Sequence, residues 1–143
     1  MDRKSITLLI VLLVLVAASG FGKEPKKEAV TGRPDKNVGF HSRTLRLTPL
    51  KGEIASLEHT SLRMRLITVE PEGHTALHVH KDRPGIVYVV SGAIYNHPKD
   101  KKPKKVRAGE VFYETQGYTH YIENRGEVSA TLISADIVTR AEE

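Results

Sequence analysis

The sequence predicts a single all-β domain, a sandwich or barrel of short strands, and three observations carry that expectation. Runs rich in β-branched and aromatic residues recur from Thr44 onward, separated by turn residues, chiefly glycine and proline. Outside the N-terminal segment, no amphipathic pattern is long enough for three helical turns. The length, 143 residues, suits one domain rather than two.

The first residues read as an export signal. Asp2, Arg3 and Lys4 form a short net-positive lead, and Ile6 to Ala18 is apolar except for Thr7. Ala17, Ala18, Ser19 and Gly20 then offer small residues to a signal peptidase. The apolar core falls short of the ~20 residues that span a bilayer, so residues 1–22 are expected to be removed, with an uncleaved anchor as the alternative. Residues 23–39 are polar, with two prolines and two glycines, and read as a flexible linker. Residues 40–143 are then the folded domain. Its expected strands are Thr44–Thr48, Ser61–Val69, Ile86–Val90, Glu110–Thr115, Tyr118–Glu123 and Val128–Val138. Turn residues such as Pro71, Gly73, Gly92, Gly117 and Gly126 punctuate them.

Composition excludes several functions. The chain has no cysteine, which removes disulfides, thiolate metal sites and a cysteine nucleophile. The formal charge of +5 is concentrated around Lys23–Lys27 and Lys99–Lys105. The second run is broken by Asp100 and Pro103 and lacks interleaved aromatic residues, so it reads as a solvated loop, not a nucleic-acid surface. No phosphate loop, nucleophile elbow or glycosylation sequon occurs.

The chemistry lies in the histidines. His78 and His80 flank one residue, and side chains two apart on a strand share a face, so both imidazoles can converge on one ion. The pair sits in a longer pattern: Gly73, then His78-Val79-His80, then Gly92. A second pattern follows, with Gly109, Thr115, Gly117, His120 and Asn124 at the spacing Gly-x5-x-x-Gly-x2-His-x3-Asn. In these two motifs, and over roughly residues 61–138, the chain resembles the cupin family. The resemblance implies a double-stranded β-helix, a small jelly-roll barrel, with His78, His80 and His120 pointing inward as ligands of a divalent metal. Fe2+ or Mn2+ suits such a site first, and Zn2+, Ni2+ and Cu2+ also remain open.

Two departures from the family pattern matter. Thr115 stands where the second motif has proline. The family's glutamate ligand falls at Gly85 with four intervening residues after His80, or at Pro84 with three, and neither offers a donor. Three neutral histidines leave the metal's charge uncompensated, which suits an anionic or chelating small-molecule ligand together with oxygen or water. Dioxygenases with three-histidine iron sites are similar cupins. The alternative is a binding module without turnover, because this fold hosts many functions.

Around the site, Glu114 is expected to be an exposed strand carboxylate, with a swing inward as a replacement ligand as the alternative, and His74 a solvated neighbour. His41, His59 and His97 read as surface residues. Tyr88, Tyr113, Tyr118 and Tyr121 read as strand residues lining the barrel or simply packed. Asp82 and Arg83 belong to the loop at the site mouth, where Arg83 meets either a substrate carboxylate or a turn partner. Asn124 reads as a turn support. The expected location is periplasmic or secreted, with no nucleic-acid partner and no stable membrane anchor, and cupins often pair as homodimers.

Overall fold

The computed structural model describes residues 32–139; the expected export segment and most of the expected linker lie outside them. Nine strands occur, and no helix appears among the described residues. They are β1 (Val38–Pro49), β2 (Thr60–His74), β3 (His78–His80), β4 (Gly85–Ser91), β5 (Ala93–Pro98), β6 (Lys104–Arg107), β7 (Val111–Glu114), β8 (Tyr118–Glu123) and β9 (Ala130–Thr139).

All pairings are antiparallel, and the strands form two facing layers. One layer runs β1-β2-β9-β4-β7 and the other β6-β5-β8-β3. The layers join where His74 of β2 stands opposite Glu123 of β8. This is the jelly-roll arrangement that the motifs imply.

Alternation along each strand fills the space between the layers. Ile67 and Val69 of β2, Val87 and Val89 of β4, Ile94 of β5, Val106 of β6, Phe112 of β7, Ile122 of β8, and Ala130 and Leu132 of β9 form one buried cluster. Further along the same strands the inward residues turn polar. Val69 and Ile67 give way to Arg65 and Arg63, Leu132 to Ser134 and Asp136, Ile94 to Asn96, Phe112 to Glu114, and Ile122 to His120. The interior is thus an apolar plug at one end and a polar chamber at the other. The opposite parity faces out and is unusually apolar, with Leu62, Met64, Ile86, Tyr88, Val111 and Tyr113 all exposed.

Several elements differ from the sequence expectation. Within the expected linker, Asn37 Oδ1 accepts the Ala76 N–H at 2.7 Å and the Pro34 carbonyl accepts the Leu77 N–H at 2.7 Å. β1 then starts at Val38, and Pro34 is buried. β5 and β6 were not expected; the turn at 99–101 is shorter than the basic run, and Lys104 already belongs to β6. β2 continues past Pro71 because an irregularity lies between the pairs Val38↔His74 and Phe40↔Val69. A proline is tolerated there because no ladder N–H is demanded. Gly73 belongs to this bulge through close approach: a Cβ there would stand 2.7 Å from the Gly39 carbonyl oxygen.

Asn124 supports its turn, as the sequence suggests. Its Nδ2 donates to the carbonyls of Val69 (2.9 Å) and Val128 (2.8 Å), and its Oδ1 accepts the Gly126 N–H at 2.8 Å. Truncation strands buried backbone groups at the corner between layers. Asn124→Ala should therefore lower unfolding stability by at least ~2 kcal/mol in urea titration of metal-free protein. A change below ~0.5 kcal/mol would show that water replaces the amide without penalty.

Candidate metal centre

His78 and His80 share the inward face of β3, with Val79 between them turned to solvent. β3 pairs with β8 so that His78 stands directly opposite His120. The third ring therefore comes from the adjacent strand of the same layer. His80 Nε2 lies 3.1 Å from His78 Nε2 and 3.2 Å from His120 Nε2.

The other nitrogen of each ring has a partner that sets its tautomer. Nδ1 of His78 donates to the Ala76 carbonyl at 2.9 Å, and Nδ1 of His80 donates to the Arg83 carbonyl at 3.1 Å. Nδ1 of His120 donates to Asn96 Oδ1 at 2.8 Å. With the proton on Nδ1, each neutral ring presents a bare lone pair at Nε2. Burial favours that neutral form: it pushes the pKa of His78 down to about 4 and lowers that of His80. Three acceptors crowded together repel one another unless a positive charge lies between them.

Glu114 completes the group, contrary to the exposed position expected of it. β7 turns Val111 and Tyr113 outward, so Phe112 and Glu114 point in, and Glu114 is only 6% exposed. Its Oε1 lies 3.3 Å from His120 Nε2 and its Oε2 3.4 Å from His80 Nδ1. Oε2 is buried with no hydrogen-bond partner. Burial disfavours the carboxylate's charge, but a proton or other positive charge among the facing rings, at His120 foremost, outweighs it and lowers the Glu114 pKa below the ordinary value.

The register explains how this carboxylate reaches the centre. Gly85, where the family pattern would place a glutamate, pairs with Glu114 across the β4–β7 ladder. A Cβ on Gly85 would stand 3.2 Å from Glu114 Oε2 and 3.0 Å from Asp136 Cβ. The acid missing from β4 is supplied by its neighbour on β7, and a bare backbone at Gly85 leaves room for it.

The donor set fits a divalent ion. One donor atom from each of His78, His80, Glu114 and His120 lies within 4.8 Å of all the others. Metal–nitrogen bonds of ~2.1 Å separate neighbouring donors by ~3.0 Å in octahedral and ~3.4 Å in tetrahedral geometry. The observed spacings of 3.1 and 3.2 Å fall between these two values. The four residues border a cavity of about 340 Å3, whose apolar wall includes Val87, Phe112 and Leu132. Arg65 and Arg83 bring positive charge to it.

The loops beside the centre are clamped to each other. The Asp82 N–H donates to Gln116 Oε1 at 2.7 Å, and Gln116 Nε2 donates to Asp82 Oδ1 at 3.2 Å. The Gly117 N–H donates to the His80 carbonyl at 2.9 Å, and Gly117, at φ 75°, adopts a backbone that favours glycine.

Other residues singled out from the sequence lie elsewhere. His74 is half-buried at the end of β2 and does not border the cavity. His41 is exposed and 2.9 Å from Glu70, and His59 is also exposed. Tyr88 and Tyr113 face outward, Tyr118 packs beside His120, and Tyr121 stacks on His97. His97 is buried, not a surface residue, because that stacking and an ion-pair contact of 2.9 Å to Glu123 cover it. Sequence reading missed Arg65, Ser134 and Asn96. Their inward parity, shared with Ile67, Leu132 and Ile94, was the available signal.

The family model described as "Cupin domain" matches residues 65–136, the span holding all four donors. The chain is a cupin. Solved structures agree on the fold. The polyketide cyclase RemF from Streptomyces resistomycificus is 17% identical with TM-score 0.59, over 82% of this chain and 78% of that one. Oxalate oxidase in complex with the substrate analogue glycolate is 19% identical with TM-score 0.54, over 97% and 74%. KdgF from Halomonas sp. is 16% identical with TM-score 0.54, over 68% and 80%. A comparison with curated proteins found no match.

The geometry places Glu114 among the four residues that could hold a metal ion. Glu114→Gln should weaken Mn2+ or Zn2+ binding by more than the ~10–100-fold that loss of a supporting partner produces, measured by competition with a chelating dye. Wild-type affinity in that variant would return the site to three histidines alone.

Proposed function

We propose that this cupin holds one divalent metal ion on His78, His80 and His120, with Glu114 as fourth ligand, and uses it to act on a small molecule. The observation that carries the reading is the convergence of three Nε2 lone pairs on a buried carboxylate beside a cavity. A set of imidazoles plus one carboxylate suits Fe2+ or Mn2+ and also accepts Zn2+, Ni2+ or Cu2+. When bound, such an ion supplies a Lewis acid with open positions, adequate for oxygen chemistry or isomerisation.

The protein's own groups prepare the site. The Ala76 and Arg83 carbonyls and the Asn96 amide hold the three rings in one orientation. Glu114 offsets part of the ion's charge and leaves the centre cationic, so an anionic ligand is favoured. Val87, Phe112 and Leu132 keep water from the inner wall.

A second reading, capture of a small molecule without turnover, has one observation in its favour. Among the described residues bordering the cavity, no acid or base stands apart from the donor cluster. The two readings separate in one experiment. Protein purified without an affinity-column metal should carry about one equivalent of iron or manganese by elemental analysis. His78→Ala, His80→Ala and His120→Ala should each fall below ~0.1 equivalent, since two neutral imidazoles bind such ions weakly. Full occupancy in all three variants would overturn the assignment. Binding of small organic acids by the Fe2+ protein with no oxygen uptake and no product would leave capture as the function.

Export and self-association extend this reading. The apolar outer face of β2, β4 and β7 supports pairing of two copies, and the charged, apolar and small-residue order of residues 1–22 supports export. Protein recovered from a periplasmic or culture fraction should have an intact mass beginning between Gly20 and Lys23, and should sediment as a dimer. Full-length protein in the membrane fraction, or a monomer at ~100 μM, would reject the corresponding half.

A further inference from the structure

The chamber wall formed by β2 and β9 carries more positive charge than its own residues use. Asp136 has no exposed side-chain surface, and Arg63 already grips it with both arms of a fork. Arg63 Nε donates to Oδ1 at 3.0 Å and Nη2 donates to Oδ2 at 2.7 Å. Such a bidentate pair satisfies one carboxylate with one guanidinium. Arg65 is added to this finished pair. Its Nη2 makes only two long contacts, at 3.3 Å to Asp136 Oδ2 and 3.3 Å to Ser134 Oγ. Its Nε is buried with no hydrogen-bond partner.

A second arginine in this place is unfavourable for the protein taken alone. Burial lowers the Arg65 pKa, and Asp136 and, more weakly, Glu114 only partly restore it, while Arg63 and Arg83 add repulsion. A buried donor left unmade is expensive, and a surplus buried cation more so. Yet Arg65 borders the same cavity as the four metal-site donors, with Ser134 beside it and Arg83 also on the lining. An anion seated there would meet the accessible part of the Arg65 guanidinium, whose side chain is 16% exposed, together with the Ser134 hydroxyl, and would neutralise the surplus charge.

We propose that Arg65, with Ser134, forms a carboxylate-binding subsite, and that the ligand of this cavity is a small organic acid. One carboxylate lies on Arg65 while a second oxygen-bearing group reaches the metal centre. The inference rests on the reading of the four donors as a metal site and adds the ligand's class to it. The cavity's roughly 340 Å3 lies at the lower end of ligand pockets, which fits an acid of a few carbons rather than a sugar chain or peptide. Arg65 is a specificity-determining residue here: it holds the acid and fixes which end faces the ion.

Malonate and its monoamide, malonamate, serve as probes, because they match in size and differ by one charge. Calorimetric titration of Mn2+-loaded protein should show malonate binding at least about tenfold more tightly than malonamate, as expected for a charge-assisted pair in a buried site. Arg65→Met should abolish that preference while still holding one equivalent of Mn2+. Its fold should survive because Arg63 keeps both contacts to Asp136. Arg65→Lys keeps a cation but loses the fork, and should weaken malonate at least about threefold. That variant carries the test if Arg65→Met does not fold. Equal affinity of wild-type protein for the two probes, or a malonate preference unchanged in the variants, would overturn the subsite. If the protein takes up no Mn2+, the metal reading fails separately. The same titration of metal-free protein then decides the subsite, with Arg65-dependent malonate binding supporting it and no binding rejecting it.

Discussion

A closed barrel has one interior, and every side chain facing it must either pack against its neighbours or satisfy their polarity. Here that requirement is met in two halves. From Ile67 to Arg65 on β2, from Leu132 to Ser134 on β9, from Phe112 to Glu114 on β7 and from Ile122 to His120 on β8, the interior changes character within two residues. Because the strands are held in register, these changes fall side by side. The rung Arg63–Asp136–Gly85–Glu114 crosses four strands by backbone pairing alone. The apolar plug supplies the cohesion that keeps the polar half in place, and the polar half is where chemistry becomes available.

The donor atoms of the centre come from both layers. His78, His80 and His120 belong to the β3–β8 pair, and Glu114 belongs to β7 on the other side. Their lone pairs face one another at close range, an arrangement that only a rigid surround maintains in the absence of a cation. That surround consists of the three carbonyl-type partners at Nδ1 and the reciprocal Asp82–Gln116 contact across the two loops. Each acts on geometry, so the four side chains that could hold an ion need no flexibility to find their places.

What could be read from the sequence was local. Two histidines one residue apart share a face by the period of a strand, while the third, His120, is marked by the resemblance of Gly109–Asn124 to the second cupin motif. Glu114 could not be read in this way, because its inward position depends on which residue of β4 it meets. β2 was deceptive for a related reason. Leu62, Met64 and Leu66 look like the core face of an alternating strand, yet Leu62 and Met64 are exposed while Arg63 and Arg65 turn inward. Ile67 and Val69 share the arginine parity, and their burial fixes the strand's orientation. β5 was missed because Asn96, His97 and Pro98 are weak strand formers, and it is held by ladders to β6 and β8 instead.

The opposition of Gly85 and Glu114 bears on how such centres are recognised and inherited. Selection for metal affinity acts on where an oxygen atom ends up, not on which strand carries it. Paired positions on neighbouring strands lie about 5 Å apart, comparable to the reach of a glutamate. The role of acidic ligand can therefore pass between two facing positions through a pair of substitutions, provided the vacated position becomes small. A pattern written along the chain registers such an exchange as a lost ligand. A pattern written across the ladder registers no loss, and it is the appropriate one for comparing centres within this fold.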